Sequence, residues 1–285
     1  MRRALHYVIK TTDLLRCLDF YSVVLGCAVL RHEEFEDACD AQCNGPFAGS
    51  WSKTMISSTG SEARGFALEV IYNYGKTAYA RGNGLVALRI SDPGLACKAR
   101  AEQWHAANDG NADGGDDDDD GGLLTDPDGH VLDFVDVAFE DRFLAVALRV
   151  TNLPTALDYY ATALGASVLP GKDATRRTVG FGGTGVELVH VATGALEHGE
   201  SQGRFAVQTE DWGPDVVAGK ALVVKGPLAL PPHMERVVVV ADSDGHEFAF
   251  VEARGYARCI EAGEPRVDWA TREEKITRQR SWNRA

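Results

Sequence analysis

Apolar positions along this chain change period repeatedly. Residues 4–10 and 143–150 are apolar enough to read as strands, and each runs into a segment with helical spacing: Leu14, Leu18, Tyr21 and Leu25 in one, Leu153, Leu157, Tyr160 and Leu164 in the other. Asp13 and Asn152 stand where an N-cap is needed, and Gly26 and Gly165 where a helix stops. The two segments are copies. Thr12-Asp13-Leu14, Leu18-Asp19-Phe20-Tyr21, Leu25-Gly26 and Val29-Leu30 recur as Thr151-Asn152-Leu153, Leu157-Asp158-Tyr159-Tyr160, Leu164-Gly165 and Val168-Leu169, at a constant offset of 139 residues.

A second echo links Asp126-Pro127-Asp128-Gly129-His130 to Asp242-Ser243-Asp244-Gly245-His246 at an offset of 116, so the first half carries 23 more residues between its two motifs. The 39–51 segment and a run of Asn, Asp and Gly over 108–122 are the places for that excess, because loops absorb insertions at small entropic cost. Asp, Pro and Gly supply turn dihedrals, so both tetrads read as turns that feed a final strand. Within each half the pattern repeats more weakly, with residues 85–90 (then a helix at 95–106) and 204–208 opening further units. Four strand-helix-strand modules emerge, ending in strands near 68–72, 131–137, 186–191 and 247–252. The expected organisation is α+β: one half over 1–140 with the loop at 108–122, a second over 141–255, and a polar surface tail from Tyr256 to the end.

Composition sets the chemical class. The 285 residues are 45% hydrophobic and 25% charged, as in a folded globule, and no apolar run approaches the roughly 18 residues of a membrane span. Lys and Arg total 29 against 42 Asp and Glu, and a net charge of −13 argues against nucleic-acid and anionic-membrane partners. Part of that excess is the 108–122 run, which reads as a solvated loop and lacks the ligand spacing of a calcium loop. The first ten residues have no apolar signal-peptide core, so a cytoplasmic or mitochondrial location is expected. Six scattered cysteines read as reduced thiols; Cys39 and Cys43, four apart, have no second pair to complete a zinc tetrahedron.

The string Glu69-Val70-Ile71-Tyr72-Asn73-Tyr74-Gly75, the following Gly84-Leu85-Val86-Ala87-Leu88 and the Asp126-Pro127-Asp128-Gly129 turn resemble the middle and closing parts of glyoxalase I. The resemblance places the chain among the vicinal oxygen chelate (glyoxalase/bleomycin-resistance-like) proteins. It implies tandem domains whose four βαβββ-type modules pair into open β-cups around a metal. Arg31-His32-Glu33-Glu34-Phe35, Cys43-Asn44-Gly45-Pro46 and Trp51-Ser52-Lys53-Thr54-Met55 narrow it to a eukaryotic group of glyoxalase-domain proteins with a poorly defined activity. The likeness covers essentially residues 3–255, and the acidic loop departs from it.

In that family each module offers one metal ligand from its first strand and one from its last. By correspondence, module one supplies His6 and Glu69, and module two supplies Asp133 but has Leu85 where a second His is expected. Module three offers Ala145 and Glu187, and module four Arg204 and Ala249. If modules one and two share a cup, His6, Glu69 and Asp133 form a three-ligand site for Zn²⁺ or Ni²⁺. If module one faces module four, Arg204 competes with a cation for the Glu69 carboxylate, and Asp133 and Glu187 share the other cup. Glu69 and Glu187 occupy the same place in apolar strands, where a carboxylate is costly unless paired. His32 and His130 read as surface or turn residues, and Tyr72, Tyr74 and Tyr79 as cup lining or core.

Three functions fit these residues. In the first, a degenerate metal site leaves cups that bind a small molecule or a protein partner without normal turnover and with no metal cofactor. In the second, a metal-dependent lactoylglutathione lyase-like isomerase acts on hemithioacetals of 2-oxoaldehydes and thiols, with Glu69 moving the proton. The third is another metal-dependent reaction on the same scaffold, such as that of a dioxygenase, since a fold alone does not choose a chemistry.

Overall fold

The Asp13 side chain accepts the Arg16 backbone N–H and starts helix α1 (Leu14–Leu25), which ends on Gly26 at φ 71°, a left-handed conformation that suits glycine. Asn152 caps α3 (Leu153–Thr162) in the same way through the Thr155 N–H. A computed structural model describes residues 2–109, 124–171, 173–210, 221–230 and 235–262 of the chain. The expected acidic loop lies outside these residues, apart from its first two positions, and so does the chain after residue 262.

Module one consists of β1 (Arg3–Thr11), α1, β2 (Ala28–Phe35), β3 (Trp51–Ser57) and β4 (Ala67–Asn73). Module two has β5 (Leu85–Ser91), α2 (Ala96–Asn108), β6 (Leu124–Thr125) and β7 (Val131–Val135). Module three has β8 (Phe143–Val150), α3, β9 (Ser167–Val168), β10 (Arg176–Gly180) and β11 (Gly185–His190). Module four has β12 (Gln202–Thr209), β13 (Leu222–Leu230), β14 (Glu235–Ala241) and β15 (Glu247–Glu252), followed by α4 (Ala253–Ala262).

These strands form two open sheets, ordered β13-β14-β15-β12-β1-β4-β3-β2 and β6-β7-β5-β8-β11-β10-β9. Module one therefore joins module four, through the antiparallel β1–β12 pair with Tyr7 opposite Phe205. Module two joins module three through β5–β8, with Leu88 opposite Val146. Each half read from the sequence repeat is divided between the two sheets. One core runs between them, with Tyr7, Ile9, Phe205 and Val207 of the first sheet and Leu88, Ile90, Val146 and Leu148 of the second, and α1 and α3 pack into it.

The two repeated turns clasp the two repeated helices. Asp126 accepts the Tyr21 hydroxyl at 2.9 Å and Asp242 the Tyr160 hydroxyl at 2.9 Å, all four groups being buried. Asp128 accepts the Thr12 hydroxyl at 2.8 Å, and Asp244 that of Thr151 at 2.5 Å. Gly129 and Gly245 both have φ 85°, which closes each turn. His130 is not a surface residue. It is buried, with Nδ1 2.9 Å from Asp126 and Nε2 3.2 Å from the Ser201 carbonyl. His32 sits on β2 between Thr54 and Glu34, at 2.7 and 2.8 Å.

Two other expectations change. Cys39 and Cys43 form a disulfide with a Cα–Cα distance of 5.6 Å, because the turn that bonds Gln42 N–H to Cys39 O brings positions four apart within reach. The other four cysteines form no disulfide among the described residues and are buried. The chain beyond Glu252 is not a bare tail at its start: Tyr256, Cys259 and Ile260 fall at i, i+3 and i+4 and make an apolar stripe on α4 that packs against the first sheet. Among the described residues no helix is long and apolar enough to cross a membrane.

The clasps predict a measurable cost. Tyr21→Phe and Tyr160→Phe each remove the hydroxyl donor from a buried carboxylate, and each is expected to lower unfolding free energy by about 1–3 kcal/mol in urea titrations. The turns lie in different sheets, so the double variant should lose about the sum.

Candidate ligand cup

Along β1 the side chains alternate: Tyr7 and Ile9 enter the core, whereas His6, Val8 and Lys10 turn to the open face of the first sheet. Neighbouring β4 is parallel, with Val8 opposite Glu69, and places the Glu69 carboxylate on that face too. His6 Nε2 lies 3.3 Å from Glu69 Oε2, with both residues less than 8% exposed. The other ring nitrogen, Nδ1, is 3.5 Å from the Tyr256 hydroxyl of α4. This arrangement suits a neutral His6 with its proton on Nε2, facing the carboxylate, and Nδ1 accepting from tyrosine. Burial, then the charges of Arg31, Lys53 and Arg3, holds the His6 pKa well below its ordinary value. Burial raises that of Glu69, opposed by Lys53 and Arg31.

Two sequence-predicted candidates thus meet, and the third does not. Asp133 is on β7 and Glu187 on β11, both in the second sheet. There the guanidinium of Arg89 stands between them, with Nε 3.1 Å from Asp133 Oδ2 and Nη1 2.5 Å from Glu187 Oε1, while Arg176 adds a contact to Glu187 at 3.5 Å. A fixed cation of the protein occupies the space between the two carboxylates. The chain's signal for this was one arginine inside the apolar run Leu85-Val86-Ala87-Leu88-Arg89-Ile90.

The first cup pairs module one with module four, so the positions corresponding to His6 and Glu69 on the opposite side are Arg204 and Ala249. Arg204 does not pair with Glu69. Its Nε lies 2.5 Å from Glu247 on the adjacent strand, and its Nη1 donates to the Ala41 carbonyl. The donors left here are one imidazole and one carboxylate already in contact, facing a cation and a methyl group. They do not fit a bound Zn²⁺ or Ni²⁺, which takes three or more protein ligands. Among the described residues no group of three or more His, Cys, Asp or Glu is placed to hold a metal ion.

What the first sheet does hold is space. A cavity of about 860 Å³ lies over it, with His6, Glu69, Lys53 and Arg204 among its walls and Phe35 and Trp51 on its apolar side. Helix α4 covers the module-four side, where Tyr256 and Ile260 pack on Ala206, Val237, Ala249 and Val251. Tyr72, Tyr74 and Tyr79 do not line this cavity. Lys10, not singled out from the sequence, does. It is 4% exposed, and its Nζ donates to the Gln202 carbonyl at 2.9 Å. Burial, then Arg204, lowers its pKa to about 8, against the opposing pull of Glu200, Glu247 and Glu69.

Both cups give stability tests. Lys10 binds its proton less tightly folded than unfolded, so its buried charge penalises the fold below about pH 8 and the penalty fades as pH rises toward the unfolded value. Lys10→Met is therefore expected to raise the thermal midpoint at pH 7, with the gain shrinking above pH 8 in pH-dependent melts. Arg89→Met leaves the buried Glu187 only the longer Arg176 contact and should cost about 1–3 kcal/mol in denaturant titrations.

No family model matches the chain. It is 33% identical over 263 residues to Glyoxalase 1 of Caenorhabditis briggsae, covering 89% of each protein. It is 32% identical to Glyoxalase domain-containing protein 4 of Mus musculus, over 88% of this chain and 85% of the mouse protein. The fold matches glyoxalase I from Zea mays with a TM-score of 0.74 at 22% identity, over 93% of this chain and 97% of that one. The paired modules, the two open sheets and these relatives lead to one assignment: the chain belongs to the glyoxalase domain-containing protein 4 family, within the glyoxalase I-like vicinal oxygen chelate proteins.

Proposed function

We propose that the first cup is a small-molecule binding site that has lost metal-dependent glyoxalase turnover. The observation that carries this reading is the cavity of about 860 Å³ opening on the His6–Glu69 pair, with Arg204 and Ala249 where the opposing donors would stand. A volume of that order suits a ligand of metabolite size. The relatives named as glyoxalases direct the choice of probe toward glutathione adducts. The same names favour a second reading, in which the cup retains isomerase activity and Glu69, with its raised pKa, is the base that moves a proton between adjacent carbons.

One set of measurements separates the two. The purified chain is offered Zn²⁺ or Ni²⁺, its bound metal is counted, and turnover of methylglyoxal pre-equilibrated with glutathione is followed. An S-alkyl glutathione is titrated by calorimetry. The expected result is far less than one metal per chain, no turnover above background, and binding that His6→Ala and Glu69→Gln change by no more than about threefold, under ~0.7 kcal/mol. Stoichiometric metal with turnover abolished by either substitution would establish the isomerase instead.

A further inference from the structure

Lys10 lines the cup and is used by neither the metal scheme nor the family resemblance, and its surroundings are those of a reactive amine. The residue lines the cavity, yet it is almost fully buried. The backbone carbonyl of Gln202 is its hydrogen-bond acceptor, and among the described residues no carboxylate lies within ion-pair distance of it. Arg204, a second cation, is close enough to disfavour its protonation, against the more distant carboxylates of Glu200, Glu247 and Glu69, which favour it. Desolvation and a neighbouring positive charge are the two devices that turn a lysine into a nucleophile near neutral pH.

Two other lysines, Lys53 in the cup wall and Lys76 outside it, are held differently. Lys53 pairs with Glu33 at 3.0 Å and lies over the Phe35 ring, and Lys76 pairs with Glu200 at 3.5 Å and lies over the Phe47 ring.

We propose that Lys10 captures carbonyl compounds in the first cup, its amine condensing with a small aldehyde or 2-oxo compound to an imine. The proposal rests on the reading of this cup as a ligand site. In the step, the amine nitrogen bonds to the carbonyl carbon, and the carbonyl oxygen leaves as water carrying two hydrogens. The C=N bond remains, and the balance needs neither oxidant nor reductant. The local space limits the partner to an unhindered carbonyl. Gly45, at φ 92°, roofs the lysine so closely that a Cβ there would lie 3.2 Å from Lys10 Cε. The roof is held from two sides, by the Cys39–Cys43 disulfide and by the Arg204 bond to the Ala41 carbonyl.

Reductive trapping tests this on the full chain. With propionaldehyde and cyanoborohydride, peptide mapping should show Lys10 alkylated about tenfold faster than Lys53, Lys76 or Lys98, with a rate that rises through about pH 8. Lys10→Arg should remove that adduct and leave the others. Labelling of wild-type Lys10 at or below the rate of those three lysines overturns the proposal, and this reading needs no variant to fold. The two conclusions fail separately: an S-alkyl glutathione that does not bind, beside a rapidly trapped Lys10, removes the glutathione-adduct ligand and keeps the imine. Binding without trapping does the reverse.

Discussion

The antiparallel seam between β1 and β12 decides the chemistry of this molecule. It brings the first module against the fourth, and with Tyr7 opposite Phe205 it sets which side chains of two distant segments share one concave face. His6 and Glu69 arrive on that face from module one, whereas Arg204 and Ala249 arrive from module four. Joining module one to module two would have put Asp133 beside His6 and offered three donors to a cation. The observed seam instead sends Asp133 to the other sheet, where Arg89 meets it.

In both cups the positions that the resemblance assigns to metal ligands contact other groups of the protein itself, in two ways. In the second cup a guanidinium bridges two carboxylates, so the charges are satisfied internally. In the first, a neutral imidazole rests between a carboxylate and a tyrosine hydroxyl, and the cations at its margin are tied to other acids: Arg31 to Glu62 at 2.8 Å, Lys53 to Glu33, and Arg204 to Glu247. Lys10 is the exception, a cation given a carbonyl in place of a carboxylate. Burying a charge so weakly compensated is costly, and that cost is what makes the amine readily deprotonated.

The repeat made much of the fold legible. Caps at Asp13 and Asn152, the periodic Leu and Tyr positions and the Asp-x-Asp-Gly turns each encode a local conformation, and they appear where the pattern put them except Leu164, which lies past the end of α3 at Thr162. The site was legible in part. His6 and Glu69 could be paired because they belong to one module, on parallel neighbouring strands. Arg89, Lys10 and Tyr256 were not, since nothing local marks an arginine as a counter-ion, a lysine as desolvated or a tyrosine of a polar-looking tail as the partner of a histidine 250 residues away.

The sequence by itself determined the modules, their number and the face each strand presents, because caps, turns and two-residue alternation act over a few bonds. Tertiary structure alone decided which modules share a sheet and which charges meet. Those outcomes depend on burying the apolar backs of β1, β12, β5 and β8 in one core, and that energy is indifferent to the polar side chains on the other face. The order of modules in space, and with it the placing of His6 and Asp133 in different sheets and the surroundings of Lys10, follows from packing on the opposite side of the sheets from these polar groups.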